Sequence, residues 1–339
     1  MPRQPVRFPD GRMEWREYEE PKLAPDQVRI RSRFGAAKHG TELAGTDRGR
    51  WDESLQLWRP ADPQSTPPAP AARGVGNMTV GDVEEAGPQV TDLAVGDRVL
   101  TYGEFRPRHV REPARCWKIP AALSWKSAVC LDPADFAFGA IRDGNVRIGD
   151  KVAVFGIGAI GLMAVQLLRV AGASVVIAVE PLENRRRLAE RLGADIVLDP
   201  TACDAGLEIK QATGNGVDVA IEYSGKVQAL QHATRGVAWG GTVVAGAYPA
   251  PYPAGLDFGA EPHHNLINLV FTRSCSLPGR DHPRWDENRI FQTCLTLLID
   301  GAISGEEIVT PVVDFEELPG EYPKIATQPN EYVKLGARY

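Results

Sequence analysis

The chain has 339 residues with 43% hydrophobic content, too long for one ordinary core and apolar enough for two packed domains. Its formal net charge of −6 and pI near 5.6 exclude the broad basic footprint of a nucleic-acid binder. The cluster Arg185-Arg-Arg187 sits beside acidic residues in a helix-patterned stretch and reads as a solvated face.

The N-terminal segment Met1-Pro-Arg-Gln-Pro-Val-Arg-Phe-Pro-Asp10 carries no apolar core of the secretory type, so a cytoplasmic protein is expected. Up to about residue 120 the chain reads as short strands between turns: 27–32 alternates, and 81–87 and 96–100 carry glycine turns. This part is β-rich. The segment from Pro60 to Pro70 is too rich in proline for an element interior. Cys116, Cys130, Cys203, Cys275 and Cys294 stand far apart with no Cys-x-x-Cys spacing, and read as reduced thiols packed as small hydrophobes.

From Asp132 the pattern changes. Strongly apolar strands are predicted at 152–155, 175–179, 195–198, 217–222 and 241–247, separated by helix-length segments. That alternation implies a doubly wound parallel sheet, hence an α/β class. After residue 280 a helix at 289–299, a strand at 308–313, a helical stretch at 316–326 and a last strand at 332–335 are expected to return to the first domain. The apolar run 152–168 contains three glycines and Gln166 and reads as a buried strand and helix, so no membrane partner is expected.

The sharpest local signal is Gly156-Ile-Gly158-Ala-Ile-Gly161 between that strand and that helix. Gly156 permits the tight turn, Gly158 lets backbone approach a pyrophosphate, and Gly161 lets the helix pack on its strand. Ile160 belongs to the same turn, and free N–H groups at the helix start face the negative charge. A second apolar strand ends on Glu180, at the ~20-residue spacing that sets a carboxylate beside the adenosine ribose and against a 2′-phosphate. NAD is the expected cofactor, with Arg185 placed to bridge to a ribose or phosphate oxygen.

The order of parts resembles the medium-chain dehydrogenase/reductase superfamily, whose members pair a GroES-like β domain with a Rossmann domain. The resemblance rests on Gly76-Asn-Met-Thr-Val-Gly-Asp-Val-Glu-Glu-Ala-Gly87, Val95-Gly-Asp-Arg-Val99, the segment from Gly149 to Gly161, Asp218-Val-Ala-Ile-Glu-Tyr-Ser-Gly225 and Trp239-Gly-Gly-Thr-Val-Val244. It implies a GroES-like domain over 1–133 and 280–339, a Rossmann domain over 134–279, and Ser224 and Gly225 at the cofactor. It also implies a small-molecule substrate and a homo-oligomer, dimer or tetramer.

Zinc-using members read Cys-Gly-Thr/Ser-Asp where this chain has His39-Gly-Thr-Glu42, and Gly-His-Glu where it has Gly76-Asn77-Met78. The third ligand position falls on Asp132. An amide is a poor zinc ligand, and the four-cysteine lobe of many zinc members is missing, so the chain is most similar to the zinc-independent branch. A proton must still leave the alcohol with its hydride. His39, Thr41 and Asp132 are the expected carriers, with Asp132 orienting or charging the imidazole and Lys38 as an alternative. The stretch between His39 and Asn77 is longer than in relatives and holds Trp51 and Trp58, able to stack on a ring. Residues 44–72 are expected to form a substrate lid or an interface, with Asn77 beside the substrate. His263-His264 is read as exposed. Hydride transfer with a secondary alcohol or ketone of a polyol-, sugar- or cyclitol-like molecule is the expected activity. Enone reduction, or nucleotide binding without turnover, are the alternatives.

Overall fold

The computed structural model describes residues 1–43, 50–59, 72–252 and 254–339, with the side chains of Thr41 and Arg50 outside that description. Two large sheets organise these residues. One is a six-stranded parallel sheet in the order Ile196–Leu198, Val175–Val179, Lys151–Phe155, Val217–Glu222, Val237–Ala245, Asn268–Phe271. In chain order that is 3-2-1-4-5-6, the doubly wound arrangement with a reversal beside its first strand.

Alternate residues of these strands enter two cores. Val152, Val154, Val176, Ala178, Val219 and Ile221 join one buried cluster, while Ala153, Phe155, Ile177, Val179 and Ala220 join another. Helices on both faces therefore require strands that are apolar at every position, which is why period-2 alternation is missing from the sequence. The fifth strand begins earlier than expected, at Val237.

The other large sheet is mainly antiparallel and centres on Val28–Ala36, which pairs with Met78–Ala86, Arg108–Arg111 and Gly336–Arg338. The C-terminal strands Val312–Asp314 and Gly336–Arg338 thus close onto the N-terminal sheet. Two expectations need correction here. The last strand is Gly336–Arg338 rather than 332–335, because Val333 N and Lys334 N both donate to Thr310 O and Leu335 N donates to a side chain, leaving no ladder there. The helical stretch at 316–326 is broken into Phe315–Glu317, Leu318–Glu321 and Lys324–Thr327, with Pro319 and Pro323 interrupting it.

Helix Leu131–Asp143 packs against both Ala159–Val170 and Glu287–Ile299 and carries Asp132 in its first turn. It fixes the N-terminal sheet to the parallel one and sets an acidic side chain at the seam. Among the described residues no helix is long and apolar enough to cross a membrane.

Candidate functional site

A cavity of ≈690 Å³ runs along the seam, lined on one side by the glycine turn and on the other by residues 37–40, Asp132, Val333 and Lys334. The turn is built for close approach. Gly156 has φ +88, and a Cβ there would stand 2.5 Å from Ser224 N. A Cβ on Gly161 would meet Gly156 O at 2.2 Å, so the helix packs on the turn itself. Around Gly158 the nearest atom to such a Cβ is Arg185 Nη1 at 4.0 Å, and Gly158 caps helix Ala159–Val170 without a side-chain bond to its N–H groups. A bare, glycine-lined helix start of this kind is an anion cradle. Ile160 lines it.

Glu180 follows directly on the neighbouring strand Val175–Val179, buried and lining the cavity. Its Oε2 accepts from Ile157 N at 2.7 Å and Oε1 from Leu182 N at 3.3 Å, which fixes the carboxylate at the rim of the turn. Arg185 also lines the cavity, tied through Nη2 to Pro329 O (3.0 Å) and Tyr332 O (3.4 Å), while its buried Nε has no partner. At the end of the strand Val217–Glu222, Glu222 accepts from Ser224 N (2.6 Å), from Ser224 Oγ and from Gly225 N (2.9 Å). Burial raises the Glu222 carboxyl, against these bonds. Ser224 lines the cavity; Gly225, at φ +68, turns the chain behind it.

On the opposite wall Lys38 Nζ donates to Asp132 Oδ1 at 2.8 Å and lies 3.8 Å from the Phe136 ring centre. Asp132 is only 2% exposed. The Tyr102 hydroxyl approaches the same oxygen at 3.5 Å. Asp135, one turn on, is pushed up to about 7 by burial and then by the Asp132 charge, with Lys38 opposing.

His39 also lines the cavity, but its Nε2 accepts from Leu335 N at 2.9 Å. The neutral ring therefore carries its proton on Nδ1. Burial, followed by the charges of Lys334 and Arg185, pushes the imidazole down to about 3, so it is neutral near pH 7. The expected pairing of Asp132 with His39 is not made; the partner of Asp132 is Lys38. A four-carbon stem reaches a carboxylate that the imidazole, held against Leu335, does not meet.

Thr41 lies in helix His39–Leu43, and its expected relay hydroxyl falls outside the described side chains. Most of 44–72 likewise lies outside the described residues. Trp51 and Trp58 face each other edge-on at 5.5 Å across the hairpin formed by Arg50–Asp52 and Leu57–Arg59. Both are exposed and neither lines the cavity. Asn77 lines a smaller cavity instead. His263 and His264 are exposed.

Sequence reading missed Lys334, Tyr102 and Asp135. Lys334 is 3% exposed, donates to Ala37 O at 2.8 Å and has its pKa lowered by burial. A lysine inside the apolar run Tyr332-Val-Lys-Leu335 was its one signal.

The three positions that the resemblance assigns to a zinc ion do not fit a divalent metal as they stand. His39 Nε2 is committed to Leu335, Asp132 Oδ1 to an ammonium, and Asn77 lines the other cavity. Among the described residues no three His, Cys, Asp or Glu side chains gather into a metal-holding group. The glycine cradle and Glu180, by contrast, fit a nicotinamide dinucleotide, which would supply the hydride acceptor or donor.

Residues 159–265 match the family described as zinc-binding dehydrogenase. The D-guloside 3-dehydrogenase of Escherichia coli (strain K12) is 44% identical, over 95% of this chain and 96% of its own. The (R,R)-butanediol dehydrogenase of Bacillus subtilis (strain 168) is 29% identical over 88% and 89%. The crystal structure of 2R,3R-butanediol dehydrogenase from Bacillus subtilis covers 100% of both chains with a TM-score of 0.79 and 25% identity.

Proposed function

The chain belongs to the medium-chain dehydrogenase/reductase superfamily, and from that premise we propose that it is an NAD(H)-dependent dehydrogenase acting on a ring or chain secondary alcohol of a polyol-, sugar- or cyclitol-like molecule without catalytic zinc. Residues 1–133 with 280–339 form its GroES-like catalytic unit and 134–279 its cofactor unit. The single observation that carries this reading is the Lys38–Asp132 pair, 2.8 Å apart on the wall of the cavity that also holds the glycine cradle. A guloside and a butanediol dehydrogenase among the relatives support a hydroxylated substrate.

The substrate hydroxyl meets the Lys38 ammonium, whose charge favours alkoxide character as the hydride departs. The substrate proton passes to Nζ as one of Nζ's own protons moves to Asp132 Oδ1; in reduction the relay runs backwards. The pair thus ends oxidation with a protonated carboxyl and an intact ammonium. Asp135, one turn on, has its carboxyl pushed up to about 7 by burial, so near neutral pH its charge competes only in part for Lys38. His39 donates from Nδ1 and orients a substrate oxygen. Lys334 and Arg185 supply positive charge for the pyrophosphate, and Glu180 accepts from the adenosine ribose.

The test is a panel of methyl glycosides, inositols, simple secondary alcohols and enones, followed by nicotinamide absorbance with both cofactors. Turnover is expected on glycosides or inositols with NAD⁺. NADP⁺ should bind at least ~10-fold more weakly, the size of one unfavourable charge contact, and Glu180→Ala should narrow that gap. Turnover confined to enones with NADPH would refute the reading.

A further inference from the structure

Tyr102, whose hydroxyl reaches Asp132, also lines a second cavity of ≈330 Å³ together with Asn77, Arg106, His109 and Arg111. Two buried donors in its wall have no partner, Asn77 Nδ2 and His109 Nε2. His109 is 3% exposed. Arg111 Nη2 lies 3.4 Å from His109 Nδ1. A guanidinium only donates, so Nδ1 accepts and Nε2 keeps the ring's proton. A buried donor left unsatisfied costs about 1–3 kcal/mol, which makes two of them in one cavity a standing demand for an acceptor.

The charge in the wall is also unbalanced. Arg111 donates to Tyr102 O (3.1 and 3.0 Å) and Val110 O (2.8 Å), all neutral carbonyls, and makes no ion pair among the described residues. The cavity's own carboxylate, on Glu104, is spent on Arg106 at 2.6 Å. One positive charge therefore remains over. Asn77 and His109 bracket Gly103: its N–H donates to Asn77 O at 2.9 Å, and a Cβ there would stand 2.6 Å from His109 Cε1. The glycine lets both side chains close on one small space.

We infer that this cavity takes a carboxylate carried by the substrate, held by Asn77 Nδ2, His109 Nε2 and the Arg111 charge. The inference rests on the hydroxylated-substrate reading above and deepens it: the substrate class becomes an acidic sugar derivative, such as a uronic acid glycoside, whose other end presents the hydroxyl to Lys38. A neutral glycoside would leave Arg111 without a counter-charge. A carboxylate supplies one negative charge and several acceptor sites, matching the wall's surplus.

Calorimetric titration of the NADH-loaded protein with methyl β-D-glucuronide and methyl β-D-glucoside tests this. The glucuronide is expected to bind at least ~10-fold more tightly, the worth of one charge-assisted contact. In Arg111→Gln that preference should fall toward one while the glucoside affinity is retained. Equal affinities in the parent protein, or a preference unchanged in Arg111→Gln, would overturn the inference. If the variant does not fold, the parent ratio alone decides. A clear glucuronide preference without turnover of either sugar would support this cavity's assignment and count against the dehydrogenase reading instead.

Discussion

Lys38→Met is expected to lower kcat by roughly 10²–10⁴-fold, the range of a lost acid–base group, while NADH affinity stays near the parent value. The cofactor's cradle lies on the parallel sheet, whereas Lys38 sits between Val28–Ala36 and helix His39–Leu43. The substitution also strands Asp132, 2% exposed, and breaking a buried pair destabilises by about 3–5 kcal/mol. The double variant Lys38→Met/Asp132→Asn separates the two effects: stability measured by denaturant should recover in part, and turnover should not. His39→Ala, by contrast, should lose less turnover than Lys38→Met, since its Nε2 is held by Leu335 N and is not free to take a proton. Near-parent turnover in Lys38→Met with an inactive His39→Ala would return the proton to the histidine.

Gly156→Ala should abolish saturable NADH binding in the working range and destabilise the fold. Gly156 holds φ +88, which costs an L-residue about 1–2 kcal/mol. Its new Cβ would also stand 2.5 Å from Ser224 N and 2.8 Å from Ser224 Cα, both backbone atoms that cannot rotate away. Overpacking of this kind adds about 1–3 kcal/mol. Relief requires moving the strand end Val217–Glu222 or the helix start, and each forms part of the cradle. Cofactor fluorescence titration alongside urea denaturation reads both effects; parent-like affinity would show that the turn does not carry the pyrophosphate.

The parallel sheet was legible because its strands are buried on both faces, leaving unbroken apolar runs at 152–155, 175–179 and 219–221 that only helices on both sides can satisfy. The glycine turn was legible for a local reason: Gly161 packs on Gly156 O and Gly156 on Ser224, while Gly158 leaves the approach to the helix start open. Strand ends after residue 300 were not. Whether Tyr332 to Leu335 joins a ladder depends on Thr310 O and His39, far away in sequence.

The site divides along the same line. Glu180 follows the turn at a fixed offset and could be named from spacing. The Lys38–Asp132 pair joins residues 94 positions apart, and choosing lysine over histidine required knowing that Leu335 N already occupies the imidazole. Trp51 and Trp58 suggested a substrate platform, yet the hairpin they share turns them toward each other and solvent. The orphan donors of Asn77 and His109 become visible only when the strand Arg108–Arg111 is laid against Val28–Ala36.

We propose that the Lys38–Asp132 pair, and not a zinc ion, handles the substrate proton in this protein. Elemental analysis of turnover-competent protein, before and after exhaustive chelation, tests it most directly. The expected result is no stoichiometric zinc and an unchanged rate on the glycoside or inositol that is turned over. One zinc per chain, removed together with activity and restored with it, would contradict the claim and return Lewis-acid catalysis to His39, Asn77 and Asp132.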